Sequence, residues 1–480
     1  MYERTFNMFA SELFGEKWIW DDVEIKDITI DSREAKCGTL FICIDGQNTD
    51  GHKFAKSAEQ NGAVAIVAEK EISCSVPVII CENTKIEMAK IASKFYGNPE
   101  KKLKLVGITG TNGKTTVSYL VKKILENTGK RVGIIGTNEI LVGSDAVGIK
   151  SSTPTTPNSL ELHKIFAKML DMGAEYAVME VSSHALDLHR VYGLFYEVGV
   201  FTNLTRDHLD YHKTMENYFL AKAKLFDICK VGVINGDDEY GRRLVKSASC
   251  ERIAVGTKDA DIVAEDIEIN EKGVKFKVNY KGETERAELG ISGMFSVYNA
   301  LCAIGAAVGL GISLSDAVGG LKLAEGVKGR LELVPTATDY AVIIDYAHTP
   351  DGLENVLNAI NSYKKGRLIA VFGCGGDRDA TKRPIMGDIG TKLSDIAIIT
   401  SDNPRTENPK KIIEDILGGI KEGEYEVIED RRQAIGYALS IAKKDDIVLL
   451  AGKGQETYQI LGTEKIHFDE REIVKEFLEK

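Results

Sequence analysis

The stretch Leu103-Lys-Leu-Val-Gly-Ile-Thr-Gly110-Thr-Asn-Gly-Lys-Thr-Thr116-Val-Ser-Tyr-Leu-Val-Lys-Lys-Ile-Leu125 reads as an apolar strand, a glycine loop and a helix. Its last nine residues place apolar side chains at helical spacing. Glycine lets several backbone N–H groups converge on one anion, and a helix N-terminus adds positive potential there. The loop Gly110–Thr116 therefore predicts a site for ATP or GTP, with Lys114 on the outer phosphates and the Thr115 hydroxyl on Mg²⁺.

The spacing of this loop departs from the commonest phosphate loop. Ile108 stands five positions before Gly113, where glycine is usual. The alternative interpretation is a glycine turn that joins strand to helix and binds nothing. The position of the loop between strand and helix favours the nucleotide site.

The composition of the 480 residues excludes several classes of protein. A net charge of −11 argues against a nucleic-acid-binding surface. No apolar stretch reaches the 18 residues that predict a membrane span, and the first residues lack the pattern of a secretory signal. The eight cysteines are scattered without a Cys-x-x-Cys pair. We expect reduced thiols in a cytoplasmic protein that acts as a monomer.

The order of apolar runs predicts an α/β fold of three domains. A unit of about 100 residues comes first, and strands alternate with helical stretches after residue 102. Residues 261–289 interrupt this alternation with the pattern of an antiparallel hairpin at a sheet edge. The alternation restarts near residue 341. We predict an N-terminal α/β domain (1–101), a central parallel-sheet domain with the phosphate loop (102–333) and a C-terminal Rossmann-like domain (334–480).

Polar clusters follow several predicted strands, and ligands of open α/β sheets bind at the carboxyl ends of strands. Glu180-Val-Ser-Ser-His184 can supply a carboxylate to the Mg²⁺ ion that Thr115 holds. Asn203-Leu-Thr-Arg-Asp-His-Leu-Asp-Tyr-His212 is too polar for a core segment, and His208 within it is a candidate ligand for metal or phosphate. In the last domain, four further polar clusters follow successive predicted strands, namely Asp345–Pro350, Gly373–Arg378, Ser401–Glu407 and Gly452–Glu456.

Lys222 lies on a mostly apolar face of the predicted helix Tyr218–Phe226. It is either a lysine whose stem packs on apolar surface while its amine reaches water, or a desolvated amine of lowered pKa. A desolvated amine can capture CO₂ as a carbamate and become an anionic ligand. The sequence leaves both interpretations open.

These clusters, in this order and across essentially the whole chain, resemble the Mur ligase family of peptidoglycan synthesis. The similarity is greatest to members that add the third amino acid of the stem peptide. It implies that Lys114, Glu180, His208 and a carbamylated Lys222 are catalytic, and that Thr115, Glu180, His208 and Lys222 hold Mg²⁺. The implied ATP contacts are Gly110, Thr111, Asn112, Gly113, Lys114, Thr115, Thr116, Asn299, Arg330 and Asp345.

The resemblance also implies where the other substrates bind. The UDP-linked muramoyl dipeptide would contact Ile30, Ser32, Gln47, Asn48, Thr49, Thr155, Thr156, Ser182 and Arg190. The incoming amino acid would contact Arg378, Asp402, Asn403, Pro404, Arg405, Gly452 and Glu456. The chain departs from some members at Pro154 and Leu188, where these have polar substrate contacts, and at Gln455, where histidine is frequent.

The reaction implied by the resemblance is ATP-driven amide formation through an acyl phosphate on the D-glutamyl carboxylate. The amino acid can be argued from charge. The cluster Asp402-Asn-Pro-Arg405 resembles that of members that add meso-2,6-diaminopimelate, which carries an amine and a carboxylate at each end. Arg378 and Arg405 can receive a carboxylate and Glu456 an ammonium. The domains would then bind the UDP-sugar, ATP and the amino acid in chain order.

Two other enzymes and one binding protein remain as alternatives. An L-lysine-adding ligase of the same branch and a folylpolyglutamate synthase-like ligase also form amides through acyl phosphates. The separate N-terminal domain and the Arg405 loop disfavour the folate enzyme. A nucleotide-dependent binding switch would need only the phosphate loop and would leave the polar strand ends of residues 341–456 without a role.

Overall fold

This computed structural model describes residues 6–46, 49–149, 151–153, 155–270, 273–324 and 328–479. The chain divides into two compact units. The first contains Met1–Thr109, Gly129–Gly199 and Lys224–Lys230, and the second contains Gly110–Thr128, Val200–Ala223 and Val231–Lys480. Each unit is described by itself below.

The described part of the first hundred residues carries six short strands and three α-helices. The strands are β1 (Met8–Phe9), β2 (Glu24–Ile25), β3 (Asp27–Thr29), β4 (Thr39–Ile42), β5 (Ala63–Ala68) and β6 (Val78–Ile80). The helices are α1 (Ala10–Phe14), α2 (Ala55–Gln60) and α3 (Thr84–Phe95), with 3₁₀ turns at Gly15–Lys17, Gly51–Phe54 and Pro99–Lys101. Strands β3 to β6 form a parallel sheet in chain order. The 3₁₀ turn Gly51–Phe54 runs directly into α2.

In the middle of the chain, the residues that the structure describes form eleven strands and eight α-helices. The strands are β7 (Lys104–Thr109), β8 (Val132–Ile135), β9 (Ile140–Val142), β10 (Asp145–Ala146), β11 (Tyr176–Glu180), β12 (Tyr196–Phe201), β13 (Cys229–Asn235), β14 (Glu251–Gly256), β15 (Ile262–Asn270), β16 (Gly273–Tyr280) and β17 (Glu283–Leu289). The helices are α4 (Lys114–Asn127), α5 (Ser159–Asp171), α6 (Ser183–Asp187), α7 (Leu209–His212), α8 (Met215–Ala223), α9 (Glu239–Ser247), α10 (Met294–Gly309) and α11 (Leu314–Lys322), and a 3₁₀ turn covers Lys224–Asp227.

The strands of this region form a largely parallel sheet, as the alternation predicts. In the first unit the order is β10-β9-β8-β11-β7, and β8, β11 and β7 are parallel. In the second unit the order is β13-β14-β15-β16-β17. The predicted edge hairpin is confirmed in position and direction, but it is a meander of three antiparallel strands rather than two.

The last part of the chain is a six-stranded sheet with helices on both faces, all in the second unit. Its strands are β18 (Glu332–Val334), β19 (Ala341–Asp345), β20 (Leu368–Phe372), β21 (Ile396–Ile399), β22 (Tyr425–Val427) and β23 (Ile447–Ala451), followed by the hairpin β24 (Tyr458–Leu461) and β25 (Glu464–His467). Its helices are α12 (Pro350–Asn361), α13 (Arg383–Leu393), α14 (Pro409–Leu417), α15 (Arg431–Ile441) and α16 (Glu470–Leu478), and a 3₁₀ turn covers Ala380–Lys382.

The sheet order is β18-β19-β23-β20-β21-β22, parallel except for β18. Alternate strand residues enter two separate cores. Ala370 and Phe372 pack with α12, α13 and α14, whereas Ile369 and Val371 pack with α15 and α16. This doubly covered parallel sheet confirms the predicted Rossmann-like architecture of the last domain. None of the described helices combines the length and apolarity that a membrane crossing needs.

Candidate active site

The phosphate loop lies between β7 and α4, as predicted. Gly110 and Gly113 have φ of 152° and 85°. A side chain at Gly110 would overlap the Thr202 hydroxyl, and one at Gly113 would overlap the Asn299 amide. Thr111 N and Asn112 N donate to the carbonyl and side-chain oxygens of Asn203, at 2.9 and 3.0 Å. The two glycines are therefore required both by backbone conformation and by close packing.

The ammonium of Lys114 is held by its own loop. Nζ donates to the carbonyl oxygens of Gly110 and Thr111, at 2.9 and 2.8 Å. Lys114 is the first residue of α4, so its side chain starts at the positive end of that helix. A phosphate in the loop would compete with the two carbonyl oxygens for this ammonium.

Lys222 is buried beside the same loop. Its side chain is 1% exposed, and Nζ donates to the Gly110 carbonyl oxygen at 2.8 Å. Nζ also lies 4.6 Å from the centre of the Tyr218 ring. Burial, and then repulsion from Lys114, lower the pKa of Lys222 well below the usual 10.5. The structure thus selects the desolvated amine over the solvent-reaching lysine.

A cavity of about 360 Å³ opens next to the loop within the second unit. Six of the ten predicted ATP contacts line it, namely Asn112, Gly113, Thr116, Asn299, Arg330 and Asp345. A further polar wall of the cavity, which was not among the predicted contacts, is formed by Asn235, Asp237, Asp238 and Tyr298. A signal for it exists, because Asn235-Gly-Asp-Asp238 is another polar cluster at the end of a strand, β13.

Arg330 and Asp345 connect the phosphate loop with the first strand of the last domain. Arg330 Nη2 lies 3.4 Å from the Thr115 hydroxyl, and its guanidinium lies 4.8 Å from the centre of the Tyr346 ring. The Asp345 carboxylate accepts the backbone N–H groups of Leu331 and Ala347, each at 2.8 Å. Burial raises the pKa of Asp345 although Arg330 opposes this. Asp345 therefore braces the chain next to Arg330 as well as lining the cavity.

His208, a predicted ligand of metal or phosphate, has a half-exposed side chain. It has a left-handed φ of 55°, and Nε2 lies 3.4 Å from Asp207. Burial opposes ionisation of Asp207, but His208, His348 and Lys382 outweigh it and lower the pKa of Asp207. Asp207 is therefore an anion at neutral pH.

The predicted amino-acid cluster converges at the ends of β20, β21 and β23. Arg378 Nη1 donates to the Asp377 carbonyl oxygen at 2.9 Å, and Arg405 Nη1 donates to that of Gly376 at 2.8 Å. Within the described residues neither guanidinium has a carboxylate within 4 Å. Desolvation, and then Arg405, lower the pKa of Arg378, although Asp210 and Asp377 oppose this. Two neighbouring cations without a carboxylate in direct contact are suited to an anionic ligand.

Asn403 and Glu456 form the other side of this cluster. Asn403 Nδ2 donates to Glu456 Oε2 at 2.9 Å, while its Oδ1 accepts Lys453 Nζ at 3.1 Å and Ile460 N at 3.0 Å. Lys453 is fully buried and lies 3.3 Å from Glu456. The amide of Asn403 is thus occupied in fixing Glu456. Asp402 is buried, and its carboxylate lies so close to Gly452 that a side chain at 452 would overlap it.

The first unit carries the predicted muramoyl-peptide residues, and several of them meet. The Thr156 hydroxyl donates to the Glu180 carbonyl oxygen at 2.9 Å and accepts Ser182 N at 3.0 Å. Arg190 Nη1 donates to the Thr156 carbonyl oxygen at 3.0 Å. The Glu180 carboxylate is 1% exposed and accepts the N–H and hydroxyl of Thr137, whose hydroxyl also lies 3.0 Å from that of Thr155.

The predicted UDP-sugar residues lie in the N-terminal part of the first unit. Ile30 and Ser32 follow β3, and the Ser32 carbonyl oxygen accepts Asn61 Nδ2 at 2.8 Å. The Thr49 carbonyl oxygen accepts Gly46 N at 3.1 Å. Gln47 and Asn48, and the departure at Pro154, lie outside the described residues.

Known families match this chain in three consecutive segments. Residues 24–100 match "Mur ligase family, catalytic domain", residues 108–307 match "Mur ligase middle domain", and residues 329–454 match "Mur ligase, glutamate ligase domain". The chain is also 50% identical, over 465 residues and 96% of each chain, to the UDP-N-acetylmuramoyl-L-alanyl-D-glutamate–2,6-diaminopimelate ligase 1 of Clostridium acetobutylicum. The chain belongs to the Mur ligase family.

Solved structures agree with this assignment. A UDP-N-acetylmuramoyl-L-alanyl-D-glutamate–2,6-diaminopimelate ligase shares 32% identity with this Mur ligase, with a TM-score of 0.67 and coverage of 94% of each chain. A Thermotoga maritima MurF ligase in complex with ADP has the same fold at 20% identity, with a TM-score of 0.65 and coverage of 95% of this chain and 97% of that one. The predicted family, fold class and enzyme class are confirmed.

Proposed function

We propose that this Mur ligase adds meso-2,6-diaminopimelate to UDP-N-acetylmuramoyl-L-alanyl-D-glutamate, with ATP hydrolysed to ADP and phosphate, in peptidoglycan synthesis. The observation that carries the specificity is the pair of arginines, Arg378 and Arg405, which have no carboxylate within 4 Å in the described part of the chain, together with Glu456, which is bonded to Asn403 of the Arg405 loop. Diaminopimelate offers a carboxylate to the arginines and an ammonium to Glu456. The printed name of the 50% identical relative supports the same substrate.

The chemistry that we propose has two steps. The D-glutamyl carboxylate attacks the γ-phosphorus of ATP, the bond to ADP breaks, and an acyl phosphate forms. The amine of diaminopimelate then attacks the acyl carbon, phosphate leaves, and the nitrogen loses a proton. Because both reactants of the first step are anions, cations must offset their repulsion. Lys114 and Arg330 are the cations that the second unit supplies next to the cavity.

The nucleotide site of this proposal is the cavity in the second unit. Asn299 and Arg330 line it beside the loop residues Asn112, Gly113 and Thr116. Lys114 would exchange the carbonyl oxygens of Gly110 and Thr111 for the outer phosphates. Gly110, Thr111 and Thr115 complete the loop that surrounds them. Asp345 would support Arg330 through its bonds to the neighbouring backbone.

We also propose that Lys222 is carbamylated. Its buried amine, with a pKa well below 10.5, is neutral to a greater extent than an exposed lysine. The neutral nitrogen attacks CO₂ and releases one proton, which leaves a carbamate anion. Lys114, which now repels the protonated amine, would attract this anion.

The chain's donor set suits Mg²⁺ if ATP and the carbamate take part in its coordination. Among the described residues no three His, Cys, Asp or Glu side chains converge on one point. Mg²⁺ commonly uses one or two carboxylates together with substrate phosphates and water. Within the second unit, Thr115, His208 and the carbamate of Lys222 would hold it, and it would neutralise charge on the transferred phosphoryl group. Glu180, which belongs to the first unit, stays a ligand implied by the family resemblance alone.

We propose that each of the three domains binds a different substrate. Residues 1–101 would bind the UDP-sugar through Ile30, Ser32 and Gln47–Thr49, and residues 102–333 would bind ATP. Thr155, Thr156, Ser182 and Arg190 would hold the muramoyl peptide. Residues 334–480 would bind the amino acid through Arg378, Asp402–Arg405, Gly452 and Glu456. We further propose a cytoplasmic monomer, because one chain carries all of these groups and its described cysteines are free thiols.

The test is an assay of ADP release with ATP, Mg²⁺ and the UDP-muramoyl dipeptide. The reaction is run with meso-diaminopimelate, with L-lysine and without an amino acid. We expect release that depends on diaminopimelate, and a tripeptide product of matching mass. A preference for lysine would contradict the specificity, whereas release that ignores both amino acids would contradict the ligase activity.

A further inference from the structure

The two loops that carry Arg378 and Arg405 are bonded to each other. Gly376 N donates to the Asn403 carbonyl oxygen at 2.9 Å, and Arg405 Nη1 returns a bond to the Gly376 carbonyl oxygen at 2.8 Å. The Thr406 hydroxyl donates to Asp377 Oδ1 at 2.8 Å. The distance between the two arginines therefore depends on the contact between the loops.

A buried arginine, Arg383, lies beneath this contact at the start of α13. It is 2% exposed. Its Nη2 donates to Glu407 Oε1 at 2.8 Å, and its Nη1 donates to Asp415 Oδ2 of α14 at 2.8 Å. Glu407 Oε1 also accepts the backbone N–H of Asp377. Arg383 thus contacts α14 through Asp415, and it contacts both loops through the Glu407 carboxylate.

The backbone at the two ends of this network is in an unfavourable conformation. Asp377 and Arg405 have left-handed φ values of 53° and 51°, which non-glycine residues seldom adopt. Such conformations persist where surrounding bonds fix them. Asp377 is fixed by Glu407 and Thr406, and Arg405 by Ile460 and Gly376. The orientation of both ligand-facing arginines is therefore imposed by their neighbours.

We propose that Arg383 is a positioning residue that sets the spacing of the Arg378 and Arg405 guanidinium groups, and thereby the selection of diaminopimelate over lysine. The inference rests on the proposed function and adds to it a residue that touches no substrate. Recognition of a carboxylate by two arginines requires their positions to be held within about 0.5 Å. Loss of the Arg383 contacts should therefore weaken binding of diaminopimelate and of no other substrate. Binding of ATP, in the cavity beside the phosphate loop, does not use these loops.

The test compares Arg383→Lys with Arg367→Lys. Lysine at 383 can reach one carboxylate but not both. The control Arg367 also binds a buried carboxylate, that of Asp446, but it lies at the opposite end of β20 from the ligand loops. We expect Arg383→Lys to raise KM for diaminopimelate about ten- to hundredfold and to lower the ratio of diaminopimelate to lysine turnover. KM for ATP stays within about twofold of wild type. Arg367→Lys leaves both KM values unchanged.

Two milder variants keep the proposal testable if Arg383→Lys does not fold. Thr406→Val removes the hydroxyl bond to Asp377 at an exposed position, and Glu407→Gln removes the shared charge. Both should raise KM for diaminopimelate, by about three- to tenfold, at unchanged KM for ATP. If the folded variants keep the wild-type KM and selectivity, the proposal is wrong while the function stands. If wild type itself ignores diaminopimelate, the proposed function is wrong.

Discussion

Lys222 Nζ lies 2.8 Å from the carbonyl oxygen of Gly110, the first residue of the phosphate loop. The same oxygen accepts Lys114 Nζ at 2.9 Å. Two lysine amines therefore share one acceptor, and Lys222 is the more deeply buried of the two residues. The buried amine cannot remain fully protonated at this position without cost, because its charge is desolvated and repelled.

The first prediction concerns chemical rescue of Lys222→Ala. We expect activity to fall by at least about a hundredfold, because the variant cannot supply the carbamate anion. Acetate or formate should restore part of the activity, since a small carboxylate can occupy the vacated space. The measurement is ADP release against carboxylate concentration.

Lys224→Ala is the matched control for this rescue. Lys224 pairs with Asp187 on the surface, so its loss should leave activity near wild type and insensitive to acetate. Mass spectrometry that finds only unmodified Lys222 under CO₂, together with a failure of rescue, would contradict the carbamate.

The second prediction concerns the pH dependence of stability in CO₂-free buffer. The folded pKa of Lys222 is lowered from 10.5, so the unfolded chain binds a proton that the folded chain binds weakly. Stability contributed at this site therefore rises with pH between the lowered folded value and the unfolded value. In that window the free energy of unfolding of wild type, relative to that of Lys222→Met, should rise by up to about 1.4 kcal/mol per pH unit.

Urea unfolding of both proteins between about pH 7 and about pH 9 measures this difference. Both proteins share every other titrating group, so the difference between their free energies of unfolding reports on the Lys222 amine alone. Parallel pH profiles of the two proteins would show that the amine is not desolvated in solution.

The third prediction concerns the contact between the two ligand loops. A methyl group at Gly376 would overlap the Pro404 carbonyl oxygen, and this backbone contact cannot relax by rotation of a side chain. Gly376→Ala should therefore separate the loops and raise KM for diaminopimelate at least about tenfold, with KM for ATP retained.

Gly319→Ala provides the comparison for Gly376→Ala. Gly319 lies within α11, and no atom lies within 4 Å of a methyl group placed there. Alanine at 319 should stabilise the protein by about 0.5–1 kcal/mol and leave both KM values unchanged. A Gly376→Ala enzyme with normal use of diaminopimelate would show that the loops tolerate separation.

The strand ends could be predicted from the sequence because each one is a local pattern. Apolar runs such as Tyr176–Glu180 and Ile447–Ala451 predict buried strands, and the polar residues that follow them predict the functional edge. The loop Gly110–Thr116 is predicted in the same way. These features depend on residues within about ten positions of one another. The environment of Lys222 stays open in the sequence, because its amine bonds to Gly110, which lies 112 positions earlier.

The roles of Asp345, Asn403 and Arg383 could not be predicted, because their partners are distant in sequence. Asp345 reads as a ligand at a strand end, yet its carboxylate binds the backbone of Leu331. Asn403 reads as a substrate contact, yet its amide holds Glu456, which lies 53 positions later. Arg383 reads only as the start of a helix. Such positioning residues are set by tertiary contacts that no local pattern records.

The last prediction concerns Arg405 itself. Diaminopimelate has a distal carboxylate that lysine lacks, so lysine leaves the Arg378 and Arg405 guanidinium groups without a counter-ion. An unmatched polar group of this kind costs a few kcal/mol, or roughly a hundredfold in selectivity. Arg405→Ala should therefore lower kcat/KM for diaminopimelate about a hundredfold while turnover of lysine changes little. Calorimetric titration with a non-hydrolysable ATP analogue should give an unchanged Kd. Arg432→Ala is the control, because Arg432 is an exposed arginine paired with Glu476, and it should change neither kcat/KM for diaminopimelate nor the Kd of the ATP analogue. An equal loss of ATP binding in Arg405→Ala would place Arg405 at the nucleotide instead.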